Sequence, residues 1–183
     1  MIHISFLQGE AFFAAAWLAV RLLVWLRRGR IDWGREAALL LLAINLAVIL
    51  RFAFYPFSTV HGKIQPLLLD PAAIWPPRLN LVPFVHIRDF HYKRHMLQNV
   101  LGNIAMFIPS GILLPLLFRK LDSFWKVTAA GAGLSLTVEI LQLPFAARTS
   151  DVDDLILNTL GCTLGYLLFV LIQRAGRRKL KRQ

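Results

Sequence analysis

The sequence predicts an all-α integral membrane protein, a bundle of five transmembrane helices with a proline-rich interfacial or re-entrant outer segment. First, 57% of its 183 residues are hydrophobic, more than in a typical soluble domain. Second, it contains apolar runs of about 20 residues, the length needed to cross the hydrocarbon core. Third, its basic residues cluster between these runs. The net charge of +11 therefore indicates loops facing anionic lipid and not a nucleic-acid groove.

The predicted spans are residues 4–26, 37–57, 99–118, 124–145 and 154–173, followed by a basic tail at 174–183, all in one domain over residues 1–183. The first span is the weakest because it carries Glu10 and Arg21. Both charges lie toward its ends, where long side chains can reach the interface. It lacks the basic region and cleavage site of a secretory signal peptide, so we expect it to be retained.

The orientation follows from the distribution of Lys and Arg. With the N-terminus outside, the three cytoplasmic segments carry 13 basic residues, and the two outer segments carry 6. The positive-inside rule then predicts an outer N-terminus and a cytoplasmic C-terminus in a bacterial cell membrane. The tail "RRKLKR" is the firmest part of this evidence.

The longer outer segment, residues 58–98, has an unusual composition. It overlaps the stretch "PFSTVHGKIQPLLLDPAAIWPPRLNLVPF", which contains six prolines and many Leu, Ile, Trp and Phe residues. Proline prevents regular helix, and the apolar side chains favour an interface over open water. We therefore expect a cap that folds back onto the helices, because backbone at that depth must be buried or line a wet cavity. The cap should bring Asn80 close to Glu139 and the other polar residues of the helices.

Three predicted helices each carry a polar stripe at helical spacing. The stripes are Asn99, Asn103, Met106 and Ser110; Thr128, Gly131, Ser135, Glu139 and Gln142; and Asp151, Asp154, Asn158, Gly161 and Gly165. From the helical rise, Asn103 and Asn158 lie roughly 6 Å, and Glu139 about 9 Å, from the outer ends of their helices. Arg51 reaches the same level near the end of the second span, so we expect these groups to meet in the outer leaflet.

Some of these residues also have simpler interpretations. Asn, Ser and Thr in membrane helices often only hydrogen-bond to neighbouring helices, and the GxxxG spacing of Gly161 and Gly165 is typical of close helix packing. Glu139 is different, because a carboxylate at that depth indicates a functional site. The alternative interpretation of Glu139 is that it forms a structural ion pair with Arg51 or Arg148.

Three further polar residues lie outside the stripes. We expect Asp153 to be hydrated, because it lies off the stripe of its helix. His91 and His95 have i, i+4 spacing, but their surroundings, "FHYKRHM", are basic and interfacial. These histidines therefore indicate an interfacial anchor or a phosphate contact more than a metal site.

Four sequence blocks together resemble the VanZ-like membrane protein family, known for teicoplanin resistance. They are "NLVPF" (80–84), "NVLGNIAMFIPSGILLP" (99–115), "SLTVEILQ" (135–142) and "RTSDVDDLILNTLGCTLGY" (148–166). The blocks cover about half the chain, with specific order and spacing. Cys162 stands where many members have a second glycine, a departure that leaves the polar residues untouched.

The resemblance implies a small bacterial membrane protein associated with low-level resistance to teicoplanin, a lipoglycopeptide, and a distant relationship to lipid head-group exchange enzymes. The family's motif residues, carried over by position, are Asn80, Asn99, Asn103, Glu139, Gln142, Arg148, Asp151, Asp154 and Asn158. All of them except Asn80 and Arg148 also belong to the polar stripes.

The chemistry of these residues leaves three functions open. The first is an enzyme acting on lipid head groups or lipid-linked envelope precursors. In such an enzyme Glu139 would be the base, and Arg148 and Arg51 would hold phosphate. Asp151 and Asp154 would hold a divalent cation such as Mg²⁺, Mn²⁺ or Ca²⁺, with Glu139 as a further candidate ligand. Asn103, Gln142 and Asn158 would orient the head group, with Asn80 and Asn99 as further binding residues. A non-enzymatic protein would bind or shield the lipid or the antibiotic, and a purely structural cluster would fix the bundle.

If the protein is an enzyme, we expect Glu139, Arg148, Asp154 and Asn158 to form one catalytic site. No cofactor is certain from the sequence, and the oligomeric state is open.

Overall fold

The computed structural model describes residues 1–55, 59–84 and 93–180, with side chains for all of these except 93–95 and 178–180. Within these residues the chain forms five α-helices: α1 (Phe6–Arg28), α2 (Trp33–Phe54), α3 (Lys93–Leu117), α4 (Phe124–Gln142) and α5 (Val152–Leu180). The strands are short: β1 (Ile2–Ile4), β2 (Thr59–Val60), β3 (Lys63–Ile64), β4 (Leu67–Leu69), β5 (Leu79–Asn80) and β6 (Ser150–Asp151). Two 3-10 turns span Pro71–Ile74 and Arg119–Leu121.

Four helical segments of the described chain are long and apolar enough to cross a membrane: Phe6–Arg28, Trp33–Phe54, Met96–Leu117 and Val152–Arg177. The predicted fourth span corresponds to α4, which is helical over 19 residues but falls outside this set. It carries Lys126 near one end and Glu139 and Gln142 near the other. A fifth crossing therefore stays a prediction.

The chain divides into two compact units, Met1–Asn80 with Val138–Ser150, and Leu81–Thr137 with Asp151–Gln183. In the first unit, the beginning of α1 and the end of α2 are joined by the hydroxyl of Tyr55, which donates to the Ser5 carbonyl at 3.1 Å. Burial, followed by the negative charge of Glu10, raises the pKa of the Tyr55 phenol, so the donor proton is retained. Arg21 pairs with Glu36 (Nε to Oε2, 2.9 Å), which neutralises a charge that weakened the first predicted span.

The cap of the first unit is built from short extended segments. Strand β1 pairs with β4 in antiparallel register, with Ile2 opposite Leu69. On its other side β4 meets the segment after α4, where Ala146 N–H donates to the Leu68 carbonyl at 2.9 Å. Helix α4 ends at Gln142, three residues before the predicted span ended, because Pro144 disfavours helical backbone at the residue before it. The N-terminal strand and part of the proline-rich segment therefore lie together at one end of α1 and α2. The side of the membrane that this end faces stays a prediction.

In the second unit, glycines let α3 and α5 approach closely. A Cβ added to Gly161 would lie 2.2 Å from the Ile104 carbonyl oxygen, and one added to Gly165 would lie 2.1 Å from that of Ile108. The prediction that this GxxxG spacing serves helix packing is confirmed. Cys162 is fully buried beside Gly131 of α4, whose added Cβ would lie 2.7 Å from the sulfur.

Candidate functional site

The predicted site residues fall into two clusters, one in each unit. The first cluster lies at the end of α4. Glu139 and Gln142 are 6% and 5% exposed, because the loop that follows α4 turns back over them. Ser150 Oγ in this loop donates to the Glu139 carbonyl at 2.7 Å, and its N–H donates to the Arg78 carbonyl at 3.0 Å. Strand β5, with the half-buried Asn80, begins at the residue after Arg78. Its predicted approach to Glu139 stays a prediction.

Three polar side chains of the first cluster bond to backbone carbonyls at the end of α2. Gln142 Nε2 donates to Ala53 at 2.6 Å, Arg148 Nε to Phe54 at 2.9 Å, and Arg51 Nη1 to Tyr55 at 3.0 Å. The last carbonyls of a helix have no partner within it, and their partial negative charge attracts cations. These contacts give Arg51, Gln142 and Arg148 a structural role that the sequence did not indicate. The phosphate-binding role of the two arginines stays a prediction.

The second cluster joins α3 to the beginning of α5. The side-chain amide of Asn103 donates to the Asn99 oxygen at 3.3 Å and also to the carboxylate of Asp154. Asn99 is exposed, whereas Asn103 and Asp154 are half-buried. A carboxylate has about four acceptor positions. Asp154 is thus held in place by the amide of Asn103.

Asn158 lies one turn further along α5 than Asp154 and is 4% exposed. Its amide nitrogen donates to Ser135 Oγ of α4 at 3.0 Å. Its side-chain oxygen is buried, and no donor among the described residues bonds to it. A buried acceptor without a donor is unfavourable by about 1–3 kcal/mol, so this oxygen is available to a donor from a ligand or a water molecule.

Two aspartates of the second unit stabilise local structure. Asp151 precedes α5 and accepts a hydrogen bond from Asp153 N–H at 2.9 Å, the usual contact of an N-cap residue. The expectation that Asp153 is hydrated was wrong, because it is 4% exposed and accepts from Phe84 N–H at 2.7 Å. The "NLVPF" block therefore anchors to α5 through Asp153. A residue off the helical stripe gave no sign of this, because its partner is backbone.

The predicted divalent cation has no ready-made group of ligands in the described part of the chain. No set of three or more His, Cys, Asp or Glu residues there is placed to hold a metal ion. A cation held by Asp151 and Asp154, with Glu139, stays a prediction. His91 lies outside the described residues, as does the side chain of His95, so the interfacial role expected for this pair lies outside them too.

Four apolar helices of membrane-spanning length, with acid–amide clusters at helix ends, define a multi-pass helical membrane protein. The chain belongs to the VanZ/LLP1 family, whose model matches residues 38–173. It is 34% identical over 139 residues to Protein VanZ of Enterococcus faecium, an alignment covering 76% of this chain and 77% of the relative. No solved structure gives a significant match. The resemblance identified from the four sequence blocks is confirmed.

The family model shows which parts of this chain are shared with other members of the family. Residues 38–173 include both polar clusters but exclude β1, α1 and the basic tail. The predicted joint action of Glu139 and Arg148 with Asp154 and Asn158 stays a prediction, since the first two belong to one unit and the last two to the other.

Proposed function

We propose that this protein binds or acts on the polar head group of a membrane lipid or lipid-linked envelope precursor at the outer leaflet, and thereby contributes to teicoplanin-type glycopeptide resistance. The observation that carries the proposal is the Asp154 carboxylate, oriented by Asn103 and half-buried at the end of a membrane-spanning helix. Family membership supports the link to resistance.

The second cluster is rich in hydrogen-bond acceptors. The Asp154 carboxylate and the open Asn158 oxygen lie one helical turn apart and favour a ligand that supplies donors, such as hydroxyl or ammonium groups. The head groups of phospholipids and the sugars of lipid-linked precursors carry such donors. An acidic group in this position is therefore better matched to a head group than to an acyl chain.

In the enzymatic form of the proposal, a carboxylate acts as general base in head-group exchange. It accepts the proton of an attacking hydroxyl, the oxygen forms a bond to phosphorus, and the former head-group alcohol leaves with a proton returned by the same group. Asp154 occupies the more accessible position for this step. Glu139, which is more deeply buried, is the second candidate base.

A non-enzymatic function, in which the protein binds or shields lipid or antibiotic, is favoured by a different observation. Arg51, Gln142 and Arg148 bond to helix carbonyls, and Asn158 bonds to Ser135. Contacts of this kind fix helix ends and helix pairs without any chemical step, as a binding protein requires.

One experiment separates the two forms. The protein is expressed in a teicoplanin-susceptible bacterium, and the teicoplanin inhibitory concentration is measured together with lipid and precursor composition by mass spectrometry. The variants are Asp154→Asn and Glu139→Gln, with Thr128→Val as the matched control, because Thr128 pairs with Thr163 (3.1 Å) away from the carboxylates. Protein abundance is measured in each strain.

An enzyme should change lipid or precursor composition, and this change should disappear in Asp154→Asn or Glu139→Gln but persist in Thr128→Val. A binder should raise resistance with unchanged composition. If wild-type protein at normal abundance alters neither resistance nor composition, the proposal is wrong.

A further inference from the structure

A large cavity in the first unit lies outside the two polar clusters. It has a volume of about 730 Å³, within the range of ligand pockets in proteins. Its walls come from β1, the first three turns of α1, the end of α2, Leu67 of β4 and Phe145. Aromatic side chains contribute much of this lining, and Phe54 and Phe145 meet edge to face with centroids 5.5 Å apart. The cavity is therefore apolar and firmly shaped at one end.

One carboxylate interrupts the apolar lining. Glu10 of α1 lines the cavity together with Tyr55, which follows the end of α2. The Arg51 guanidinium lies 5.3 Å from the ring centroid of Phe6, at the beginning of α1. Arg51 lies outside the lining of the cavity. The Glu10 carboxylate, roughly 6 Å from the start of α1 by its helical rise, is therefore the charged group that an occupant meets.

The surroundings indicate what fills this cavity. Its principal walls, α1 and α2, are candidate membrane spans, and α1 has no buried residue. An apolar cavity does not retain water, whereas acyl chains are available along the whole length of such helices in a bilayer. Charged groups within a span are rare and commonly mark a ligand or a partner charge. The occupant should therefore have both an acyl chain and a charged head.

We propose that this cavity binds a membrane phospholipid with a primary-amine head group, such as phosphatidylethanolamine. One acyl chain lies among Phe12, Phe13, Leu50 and Phe54, and the ammonium group meets Glu10. The negative charge of Glu10 and the positive charge of the ammonium group are then complementary. This site involves β1 and α1, which the family model does not cover, and it does not depend on the function proposed for the acid–amide clusters.

The test is lipid retention by the full chain. The purified protein is reconstituted with equal amounts of phosphatidylethanolamine and phosphatidylglycerol, extracted into mild detergent, and analysed by native mass spectrometry. Ala16→Trp fills the cavity, because Ala16 lines it. Ala14→Trp is the matched control, since Ala14 is an exposed residue of the same helix that does not line the cavity. Glu10→Gln removes the carboxylate but keeps the shape of the side chain.

Wild-type protein should retain phosphatidylethanolamine about tenfold over phosphatidylglycerol, the preference expected for one hydrogen bond between charged groups. Ala16→Trp should lose the bound lipid while Ala14→Trp keeps it, and Glu10→Gln should bind both lipids equally. Equal retention of both lipids by wild type would overturn the amine preference. Unchanged retention in Ala16→Trp, or a second copy of the chain in place of lipid, would overturn the cavity as the binding site.

Discussion

The side-chain amide of Asn158 donates a hydrogen bond of 3.0 Å to the hydroxyl of Ser135, and both residues are buried. This contact joins α5 to α4 within the second unit. It leaves the Asn158 oxygen without a donor from the described residues. One residue thus combines a structural contact with an open acceptor, and substitutions can separate the two.

A double-mutant cycle of Ser135→Ala and Asn158→Ala should measure the structural part. We expect a coupling free energy of about 0.6 kcal/mol, with an upper value of about 1.7 kcal/mol, as for interhelical hydrogen bonds in membranes. Thermal unfolding in detergent provides the measurement. Fully additive effects would contradict the contact. If Asn158→Ala loses resistance but Ser135→Ala does not, the open oxygen has a role beyond packing.

The neighbouring carboxylates of Asp153 and Asp154 should differ in role, the first stabilising the fold and the second supporting resistance. Asp153→Ala leaves the Phe84 N–H without its acceptor and should lower the free energy of unfolding by about 1–3 kcal/mol. Asp154→Asn keeps a side chain of the same shape and should leave stability nearly unchanged while resistance is lost. Unfolding and teicoplanin susceptibility are measured for both. The assignment fails if Asp154→Asn is the more destabilised variant.

Arg148 provides a test of capping against phosphate binding. Its Nε donates to the Phe54 carbonyl, so Arg148→Ala should destabilise the end of α2 and reduce protein abundance. Arg148→Lys keeps a cation near the same carbonyls and should restore abundance, since a helix C-terminus favours positive charge. It cannot reproduce a planar, bidentate contact with phosphate. Normal abundance with lost resistance in Arg148→Lys would therefore favour phosphate binding over capping.

The packing of α3 against α5 should tolerate no added methyl group at Gly165. Its Cβ would lie 2.1 Å from a backbone oxygen, and we expect Gly165→Ala to destabilise the protein by about 1–3 kcal/mol. Gly176→Ala is the control on the same helix, because nothing lies within 4 Å of its added Cβ. There alanine should be neutral or slightly stabilising, by up to about 1 kcal/mol, owing to its higher helix propensity. Equal melting temperatures for the two variants would contradict this packing.

The orientation can be tested with introduced cysteines. Cys162 is fully buried, so background labelling should be low. In intact cells, cysteines replacing Arg30 and Arg177 should resist an impermeant thiol reagent, and one replacing the exposed His61 of the cap should react. The reverse pattern would mean that the cap faces the cytoplasm.

The sequence by itself determined the helical membrane class, the family and the residues of the polar stripes. Hydrophobic length, basic loops and helical spacing are local properties that can be read along the chain. They also identified Gly161 and Gly165 as packing positions, because spacing on one helix face is independent of the partner helix.

Only the tertiary structure decided which partners the polar side chains have. Arg148 and Gln142 bond to carbonyls of α2, about 90 residues earlier in the chain, and Asp153 bonds to the backbone of Phe84. Backbone acceptors and donors carry no residue-specific signal, so no pattern in the sequence indicates them. The cavity beside Glu10 depends on the packing of α1, β1, β4 and α2, which the apolar character of each segment does not specify.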